Sequence, residues 1–464
     1  MQVMRKAEKQ LVCADIFKGQ RVLVVGLGKT GLSCVKFLAD RKVEFAVMDS
    51  REQPPGMYQM RSEYSDIEVR TGSLDKEFVT DFDVLIASPG IALKEPVLQF
   101  ALKSGKSLIG DIEILALCTT KPVIAITGSN GKSTVTTLLG EMACKAKRET
   151  IVAGNIGVPV LEQINDDATT DLYVLELSSF QLETTKSLQA TASTILNISE
   201  DHMDRYDSLA DYAAAKRKII SGQGTIIVNL DDELVLSLLG DELTSRETLG
   251  FTLKHPTANN QFGLLTKNDE PWLCQGEQAL IPVSALKLKG QHNIANVLAT
   301  LALGTAIGLP MPAMLAAVQN FSGLAHRTQW VAEHNGVQWF NDSKATNVGA
   351  AVAAIQGMDS SSLILIMGGQ SKGQEFSELH TILEKYTKQV YLLGEDAQLI
   401  AEALGTGVNT TIVDSLESAV VEADQQANSG DIVLLSPACA SFDMFDGYEH
   451  RGNEFMRLVK EVTS

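Results

Sequence analysis

Short apolar segments alternate with helix-like segments along most of the chain. In the first part, strand-like segments at 21–25, 44–48 and 83–87 are separated by stretches in which apolar residues recur at helical spacing. Strands that alternate with helices are typical of a doubly wound sheet that carries helices on both faces. The pattern therefore predicts an N-terminal Rossmann-like α/β domain over residues 1–110.

The middle of the chain continues this alternation and adds polar residues at the ends of its strands. The strand-like segments lie at 123–126, 171–176, 194–197 and 225–229. Open α/β sheets bind ligands at the carboxyl ends of their strands, so these polar residues predict a binding edge. Residues 251–285 are less regular and indicate an antiparallel appendage. We therefore expect a P-loop ATPase-like mixed sheet over residues 111–323.

The last part of the chain again alternates strands with helices. Its strand-like segments lie at 363–367, 390–393, 411–413 and 432–435. The pattern predicts a doubly wound sheet of the dinucleotide-fold type over residues 324–464. Three α/β domains fit within 464 residues, of which 45% are hydrophobic, because this length is sufficient for separate cores.

The segment 127–134, Thr-Gly-Ser-Asn-Gly-Lys-Ser-Thr, is the strongest chemical signal. It joins the strand-like segment 123–126 to an amphipathic helix. Glycines let backbone N–H groups close on phosphate oxygens, the helix N-terminus adds partial positive charge, and Ser133 offers a hydroxyl to Mg²⁺. The segment predicts that the chain binds a nucleotide triphosphate, although the strict pattern has glycine where this chain has Ile126.

Three side chains downstream are candidates for a metal site. Glu176 ends an apolar strand, where a carboxylate can reach a metal on the β- and γ-phosphates. His202, in the run Asp201-His202-Met203-Asp204, belongs either to a surface loop or to the metal site. Lys216 lies on a predicted helix, and its spacing alone indicates only a solvent-exposed lysine.

The glycines of Gly26-x-Gly28-x-x-Gly31, followed by Asp49, resemble a dinucleotide-binding fingerprint. On its own this pattern leaves three interpretations open. It can bind NAD, form a purely structural tight turn, or hold a phosphate diester at the helix N-terminus.

Two further polar clusters point to ligand contacts. Asn293 and Asn296 are three residues apart on a predicted helix. Both amides therefore project from one face, where they can read a purine edge or cap the helix. The polar run 341–347 follows a predicted strand at 337–340, and such a dense cluster favours ligand contact over a plain turn.

Composition and charge narrow the function classes. The formal net charge is -18, so we expect no nucleic-acid partner and no binding to anionic lipid. No apolar stretch approaches the roughly 18 residues that cross a membrane, and residues 1–13 lack the apolar region of a signal peptide. We therefore expect a cytoplasmic protein without membrane insertion.

The six cysteines, at positions 13, 34, 118, 144, 274 and 439, are far apart in the sequence and include no C-x-x-C pair. This spacing favours neither structural zinc nor a disulfide framework, and it fits a reducing compartment.

Taken together, these motifs resemble the Mur ligase family, ATP-dependent enzymes that join amino acids to peptidoglycan precursors. The family's own phosphate loop is Thr-Gly-Ser-Asn-Gly-Lys-Ser, which accounts for Ile126. The ordered matches cover almost the whole chain, at 127–133, 154–157, 175–180, 200–204, 292–296, 326–327 and 342–344. Within the family, four segments are most similar to the members that add D-glutamate: 341–349, 368–373, 436–441 and 452–455.

The resemblance implies catalytic roles for Lys132, His202 and Lys216. The residues implied at ATP are Gly128, Ser129, Asn130, Gly131, Lys132, Ser133, Thr134, Asn293, Asn296, Arg327, Asp342 and Lys344. One Mg²⁺ would be held by Ser133 and Glu176, and a second by His202 and a carbamylated Lys216. The residues implied at the UDP-linked substrate are Lys29, Thr30, Gly31, Asp49, Ser50, Arg51, Ser88, Gly90, Asn155, Ser178 and His202. Those implied at D-glutamate are Thr346, Lys372, Ser441 and Tyr448.

The reaction that the resemblance implies is the ATP-dependent addition of D-glutamate to UDP-N-acetylmuramoyl-L-alanine, through an acyl phosphate and a tetrahedral intermediate. The expected partners are these two substrates and ATP, and the chain is expected to be a monomer. Phe442 and Tyr448 depart from the family pattern, which has a smaller aliphatic residue and a phenylalanine at these positions. The alternatives are another amino acid in the same reaction, a nicotinamide-dependent dehydrogenase, and a P-loop regulatory switch.

Overall fold

The computed structural model describes residue 13 and residues 15–164, 169–288, 290–358 and 362–463. Residues 1–12, which enter the expectation about a signal peptide, lie outside these ranges. The strands are β1 (Val22–Val25), β2 (Phe45–Asp49), β3 (Val69–Thr71), β4 (Val84–Ala87), β5 (Ser107–Ile109), β6 (Val123–Thr127), β7 (Thr150–Gly154), β8 (Leu172–Glu176), β9 (Ala192–Ile195), β10 (Thr225–Asn229), β11 (Thr248–Phe251), β12 (Gln261–Lys267), β13 (Glu270–Gln275), β14 (Gln278–Pro282), β15 (Gln329–His334), β16 (Val337–Asn341), β17 (Leu363–Gly368), β18 (Thr387–Leu393), β19 (Thr410–Ile412) and β20 (Ile432–Leu435).

The α-helices lie between these strands. They are α1 (Lys29–Asp40), α2 (Met57–Glu63), α3 (Lys76–Val79), α4 (Pro96–Lys103), α5 (Asp111–Cys118), α6 (Lys132–Lys145), α7 (Val160–Gln163), α8 (Ser179–Glu183), α9 (Leu209–Arg217), α10 (Glu233–Leu239), α11 (Glu242–Ser245), α12 (Gln291–Ala306), α13 (Met311–Asn320), α14 (Val348–Gly357), α15 (Ser377–Tyr386), α16 (Ala397–Leu404), α17 (Leu416–Gln426) and α18 (Tyr448–Val462).

The first sheet is parallel, with strand order β3-β2-β1-β4-β5. Alternate residues of β1 face opposite layers: Val22 and Val24 belong to one apolar core, and Leu23 and Val25 belong to another. A strand that is buried on both faces appears in the sequence as a continuous apolar segment, which is why the pattern located it. The strand order reverses between β1 and β4, where open α/β sheets bind ligands.

The second sheet is mixed, with strand order β14-β13-β12-β11-β10-β9-β6-β8-β7. Strand β6 lies between β8 and β9 and is parallel to both, while β12, β13 and β14 form the predicted antiparallel appendage. Ile126 lies within β6, is fully buried, and pairs with Glu176 of β8. The residue that departs from the strict phosphate-loop pattern therefore belongs to the strand and not to the loop.

The third sheet has the strand order β15-β16-β20-β17-β18-β19, and all its neighbouring strands are parallel except β15 and β16. In β17, Leu363 and Leu365 face one apolar core while Ile364 and Ile366 face the other. The three α/β domains of the prediction are thus confirmed as an N-terminal parallel sheet, a central mixed sheet and a C-terminal doubly wound sheet.

One difference in strand bounds is informative. The pattern predicts a strand at 194–197, whereas β9 ends at Ile195. Asn197 lies beyond the strand because its side chain holds the phosphate loop. Its Oδ1 accepts from the backbone N–H of Asn130 at 2.8 Å, and its Nδ2 donates to the Asn130 carbonyl at 3.1 Å.

Across the described ranges, every helix is too short or too polar to traverse a bilayer.

The prediction about cysteines is wrong for one pair. Cys13 and Cys118 are joined by a disulfide, with Cα atoms 4.5 Å apart across a sequence separation of 105. Cys118 ends α5, the helix that leads from the first sheet to the second, and Cys13 packs in the same apolar core. Sequence spacing carried no sign of this bridge, because only the tertiary fold brings the two residues together.

Gly31 is the position of the glycine fingerprint that tolerates a side chain least. A Cβ atom there would lie 1.8 Å from the carbonyl oxygen of Gly26. We expect Gly31→Ala to lower the free energy of unfolding of the first domain by about 1–3 kcal/mol, because the backbone of the loop must move. Urea unfolding followed by circular dichroism measures this loss.

Gly28→Ala is the matched control. A Cβ atom at Gly28 meets no atom within 4 Å, and the residue has a φ of -88°. The control should cost less than about 1 kcal/mol. Equal losses in the two variants would show that the close approach of α1 to Gly26 does not constrain the loop.

Candidate functional site

The phosphate-loop segment 128–131 connects β6 to α6 at the carboxyl edge of the second sheet. Gly128 and Gly131 have φ angles of 151° and 86°, in the region that favours glycine. A Cβ atom at Gly131 would also lie 2.3 Å from Asn296 Oδ1, so α12 passes close to the loop. The path of the backbone therefore requires both glycines.

Two adjoining cavities meet at this loop. The larger, of about 490 Å³, lies between the second and third sheets; its lining includes Ser129, Asn130, Gly131, Lys132, Ser133, Asn155, Glu176, Ser178, His202, Lys216, Arg327, Lys344, Thr346, Lys372, Ser441 and Tyr448. The smaller, of about 130 Å³, includes Asn130, Gly131, Thr134, Asn293, Asn296, Arg327, Asp342 and Lys344 in its lining. Most residues predicted at ATP, metal and D-glutamate are therefore brought together.

Two lysines converge on the phosphate loop. Lys132 Nζ donates to the carbonyls of Gly128 and Ser129, both at 2.8 Å. Lys216 Nζ donates to the same Gly128 carbonyl at 2.9 Å and lies 4.4 Å from the centroid of the Tyr212 ring. Lys216 is only 1% exposed, so it is not the solvent-exposed lysine that its spacing indicates. Burial lowers the pKa of both amines, and for Lys216 the pKa falls well below its usual value.

Glu176 ends β8 with only one carboxylate oxygen engaged. Its Oε1 accepts from Asn155 Nδ2 at 2.9 Å, whereas Oε2 is buried and has no hydrogen-bond partner among the described residues. A buried carboxylate oxygen without a donor is costly unless a cation joins it. Ser133 Oγ, which lines the same cavity, accepts from Arg327 Nη2 at 2.9 Å. The orphaned oxygen of Glu176 therefore fits a hard cation such as Mg²⁺.

His202 lines the same cavity in a left-handed backbone conformation, with a φ of 58°. Its ring contacts Phe180 with centroids 4.8 Å apart, and Nε2 lies 3.7 Å from Asp201 Oδ2. Burial lowers the pKa of the imidazole to about 4, against the opposing effect of Asp201. The ring is therefore neutral at pH 7, which is the form that ligates metals.

The described residues contain no ready-made cluster of three His, Cys, Asp or Glu side chains that would hold a metal ion. Mg²⁺ does not need such a cluster. It usually keeps several waters and takes further oxygens from the phosphates of a bound nucleotide.

The two asparagines of α12 share one helical face, as predicted. Asn296 Nδ2 donates to Asn293 Oδ1 at 3.4 Å, and both residues are buried beside the smaller cavity. Asp342 follows β16, and its carboxylate accepts from the backbone N–H of Thr328 at 2.9 Å and from Ser436 Oγ at 3.0 Å. Burial raises the pKa of Asp342 to about 7. The carboxylate of Asp342 therefore already accepts hydrogen bonds within the third domain, and only its remaining lone pairs can accept from a ligand.

The four residues predicted at D-glutamate all line the larger cavity: Thr346, Lys372, Ser441 and Tyr448. Lys372 has a φ of 55°, and its Nζ donates to Asp201 Oδ1 at 2.7 Å. Lys344 Nζ lies 3.7 Å from the centroid of the Tyr448 ring, and burial lowers the pKa of Lys344 to about 8. Phe442 also lines the cavity and is 71% exposed. Around the residues predicted at D-glutamate, the cavity therefore presents both cationic and aromatic side chains.

The first sheet faces a third cavity, of about 690 Å³, which is shared with the second sheet. Ser50 and Gly90 line it, together with His202. Ser88 Oγ donates to the carbonyl of Gly26 at 2.9 Å, beside the glycine loop. Lys29, Thr30 and Gly31 form the first turn of α1, which follows that loop.

Asp49 is used by the protein itself. Its carboxylate accepts from the backbone N–H of Leu27 at 2.7 Å and from the guanidinium of Arg51 at 2.6 and 2.9 Å. Burial alone would raise the pKa of Asp49, but these hydrogen bonds outweigh burial and lower it. The acidic residue of the fingerprint therefore holds the glycine loop in place.

Asn347 and Asp201, to which the sequence assigned no role, connect parts of the site. Asn130 and Asn347 exchange hydrogen bonds between their amides at 3.2 and 3.3 Å, and Asn347 Nδ2 also donates to Asp201 Oδ2 at 3.2 Å. Burial would raise the pKa of Asp201, but Lys372 and His202 lower it to about 2. The dense polar run 341–347 was a usable signal for Asn347. For Asp201 the only signal was its position beside His202.

Three models of Mur ligase domains match successive parts of the chain. The N-terminal domain of MurD-like Mur ligases matches residues 20–110, the Mur ligase middle domain matches residues 126–304, and the glutamate ligase domain of Mur ligases matches residues 326–439.

Curated relatives named UDP-N-acetylmuramoylalanine–D-glutamate ligase share about half of the residues of this chain. The protein from Pseudomonas savastanoi pv. phaseolicola is 51% identical over 453 residues, which cover 97% of this chain and 99% of the relative. The protein from Nitrosococcus oceani is 49% identical over 443 residues, which cover 95% of this chain and 97% of the relative.

Solved structures share the fold at much lower identity. A pseudomurein peptide ligase type C from Methanothermus fervidus has a TM-score of 0.58 at 18% identity, over 96% of this chain and 100% of that one. The UDP-N-acetylmuramate-alanine ligase of Thermotoga maritima has a TM-score of 0.58 at 16% identity, over 95% and 99%. Domain models, relatives and fold agree from one end of the chain to the other, and the chain belongs to the Mur ligase family.

Proposed function

We propose that this chain is an ATP-dependent ligase that adds D-glutamate to UDP-N-acetylmuramoyl-L-alanine, a step in the synthesis of peptidoglycan precursors. The observation that carries the proposal is the single cavity lined by Lys132 of the second domain and by Arg327 and Lys372 of the third. A site that gathers basic groups suits a triphosphate, a substrate carboxylate and an acidic amino acid. The relatives named for this activity support the same conclusion.

Each domain is assigned one ligand. Residues 1–110 bind the UDP part of the substrate, residues 111–323 bind ATP, and residues 324–464 bind the amino acid. The cavities between neighbouring sheets support this division, because each ligand then reaches the reacting centre from its own sheet. The chain is proposed to act as a monomer in the cytoplasm.

The phosphate loop holds the triphosphate of ATP through the backbone of residues 128–134. Lys132 exchanges its contacts with the Gly128 and Ser129 carbonyls for phosphate oxygens. Around the smaller cavity, the amides of Asn293 and Asn296 in α12 face adenine. The ribose and phosphates meet three residues of the third domain: Arg327, Asp342 and Lys344.

The UDP-linked substrate lies along the cavity between the first and second sheets. The first turn of α1 receives the diphosphate through Lys29, Thr30 and Gly31, since a helix N-terminus favours anions. The remaining contacts are assigned to Asp49, Ser50, Arg51, Ser88 and Gly90 near the nucleotide, and to Asn155, Ser178 and His202 along the path to the reacting carboxylate.

Two Mg²⁺ sites are proposed, one at Ser133 and Glu176 and the other at His202 and a carbamylated Lys216. The orphaned Glu176 Oε2 supports the first site. Lys216 supports the second, because burial lowers the pKa of this amine well below its usual value and so favours the uncharged form, which can add CO₂, releasing a proton and forming a carbamate anion. When bound, the ions neutralise negative charge on the phosphoryl group that is transferred.

The reaction has two steps. The carboxylate of the terminal L-alanine attacks the γ-phosphorus of ATP, and the bond to the β-phosphate oxygen breaks, giving an acyl phosphate and ADP. The uncharged amine of D-glutamate attacks the activated carbonyl, and the tetrahedral intermediate expels phosphate to leave the amide, with loss of the amine proton. Lys132 offsets phosphate charge, and the cavity holds the reactants in contact.

The test of the proposal is phosphate release from ATP in the presence of Mg²⁺, UDP-N-acetylmuramoyl-L-alanine and a panel of amino acids. We expect release that depends on D-glutamate, with the amide product detected by mass spectrometry. Release without any amino-acid dependence would contradict a ligase. A best response to L-alanine, L-lysine or diaminopimelate would assign another amino acid to the same chemistry.

Lys216→Ala should reduce the ligation rate by at least about 100-fold, because it removes the stem of the carbamate. Small carboxylates such as acetate or formate should restore part of the rate by taking the place of the carbamate. NMR of the unsubstituted protein in isotopically labelled bicarbonate should show the carbamate signal. Lys218→Ala removes a neighbouring exposed lysine and is the control. Full activity in Lys216→Ala would rule out the carbamate.

Lys372→Gln should raise the KM for D-glutamate by about 10- to 100-fold, the value expected for the loss of a hydrogen bond between charged groups. The KM for ATP should change little, because Lys372 binds the amino acid in the proposal. Lys385→Gln, which changes an exposed lysine of the same domain, is the control. An equal rise in both KM values for Lys372→Gln would argue for general damage to the cavity and against a D-glutamate contact.

A further inference from the structure

Arg205 connects the first sheet to the second, and no role described above includes it. It lies on the segment between β9 and α9. Its Nη1 donates to the Pro89 carbonyl at 2.8 Å and its Nη2 donates to the Ile91 carbonyl at 3.0 Å. Both carbonyls belong to the segment that follows β4, more than 100 residues earlier in the chain. The side chain is only 12% exposed.

Helix α8 of the second domain contacts the guanidinium on its other side. The guanidinium carbon lies 3.8 Å from the centroid of the Phe180 ring, and Nη2 lies 3.5 Å from Glu183 Oε2. Both partners belong to α8. A planar guanidinium can donate to two carbonyls while it stacks on an aromatic face, whereas a lysine ammonium is a point charge on a flexible stem. The contacts therefore require arginine specifically.

These contacts lie between two parts of the proposed substrate path. The segment after β4 lines the cavity of about 690 Å³, together with Phe180 and Arg205 itself. On its other side Arg205 stacks on Phe180, and the Phe180 ring in turn packs on the ring of His202, a residue proposed at the reaction centre. The stack of Arg205, Phe180 and His202 therefore joins this cavity, which we call the UDP cleft, to the larger cavity.

We propose that Arg205 is a positioning residue that fixes the UDP cleft relative to the phosphate loop. The inference rests on the proposed function, in which the UDP end is anchored on the first sheet and the reacting carboxylate lies on the second. Any shift of one sheet against the other then moves the carboxylate away from the γ-phosphate of ATP. A misplacement of about 1 Å can reduce a rate by about 100-fold.

The two sheets also share a continuous apolar core, which includes Val22 of β1 and Val123 of β6. That core is non-directional and joins the sheets through helices such as α5, whose Ile112 and Leu115 it contains. Arg205 adds directional hydrogen bonds at the UDP cleft, beside the proposed substrate path. Its role is therefore to set geometry, and the apolar core supplies most of the cohesion.

Arg205→Lys tests this role, because it keeps the charge and removes the planar pair of donors. We expect kcat/KM for UDP-N-acetylmuramoyl-L-alanine to fall by about tenfold or more. The KM for ATP should stay close to that of the unsubstituted protein. Binding of UDP alone, measured by calorimetry, should also remain close to it, because UDP contacts only the first sheet in the proposal. Phe180→Leu removes the stacking partner and should show the same pattern in weaker form.

Asp207→Asn is the matched control, because Asp207 lines none of the cavities described above, whereas its partner Lys94 lines the cavity of about 690 Å³. Lys94 Nζ lies 3.5 Å from Asp207 Oδ1, and this exposed pair joins the same two parts of the chain, with side chains 58% and 91% exposed. Exposed pairs contribute little, so the control should keep kcat/KM. Thermal unfolding of every variant identifies general loss of structure.

The inference is overturned if Arg205→Lys keeps kcat/KM, if Asp207→Asn loses as much, or if the KM values for ATP and D-glutamate rise in parallel. Equal weakening of UDP alone and of the full substrate would also overturn it, since Arg205 would then only shape the nucleotide pocket. Failure of the unsubstituted protein to use the UDP-linked substrate would instead contradict the proposed function.

Discussion

The carbonyl oxygen of Gly128 accepts hydrogen bonds from two lysines, one partly and one fully buried, and the rest of the site depends on this arrangement. Lys132 reaches it at 2.8 Å and Lys216 at 2.9 Å. Burial disfavours charge on both amines, and Lys132 adds to the effect on Lys216. A bound anion beside these amines would favour their charged forms, and Gly128, which follows β6, has a φ of 151° in the region that favours glycine.

The three sheets are joined in two different ways. The first and second sheets share one apolar core, whereas the cores of the third sheet are separate. At the larger cavity, the second and third sheets meet through polar contacts: Asn130 with Asn347, Ser133 with Arg327, and Asp201 with Lys372. Polar interfaces between domains permit relative motion more readily than apolar ones. The third domain is thus held to the second at the larger cavity by polar contacts, without a shared apolar core.

Much of the site could be predicted from the sequence, because the phosphate loop and the strand ends have strong local patterns. For Lys216 the only sequence signal was the family resemblance, since nothing in its helix distinguishes a buried lysine from an exposed one. The part that Asp49 plays within the protein was not visible either: its carboxylate accepts hydrogen bonds from Leu27 and Arg51 and so holds the glycine loop. The Cys13–Cys118 bridge and the Arg205 contacts were also invisible, because each joins residues that are distant in the chain.

The sequence by itself determined the three α/β domains, the phosphate loop and membership of the Mur ligase family. These properties follow from local periodicity, glycine spacing and ordered motifs, which are written into short segments. Only the tertiary structure decided which lysine is buried, that Glu176 Oε2 has no hydrogen-bond partner within the part of the chain that the structure describes, and which residues join one sheet to another. Burial and pairing depend on what packs against a side chain, and that neighbour is usually supplied by a distant part of the chain.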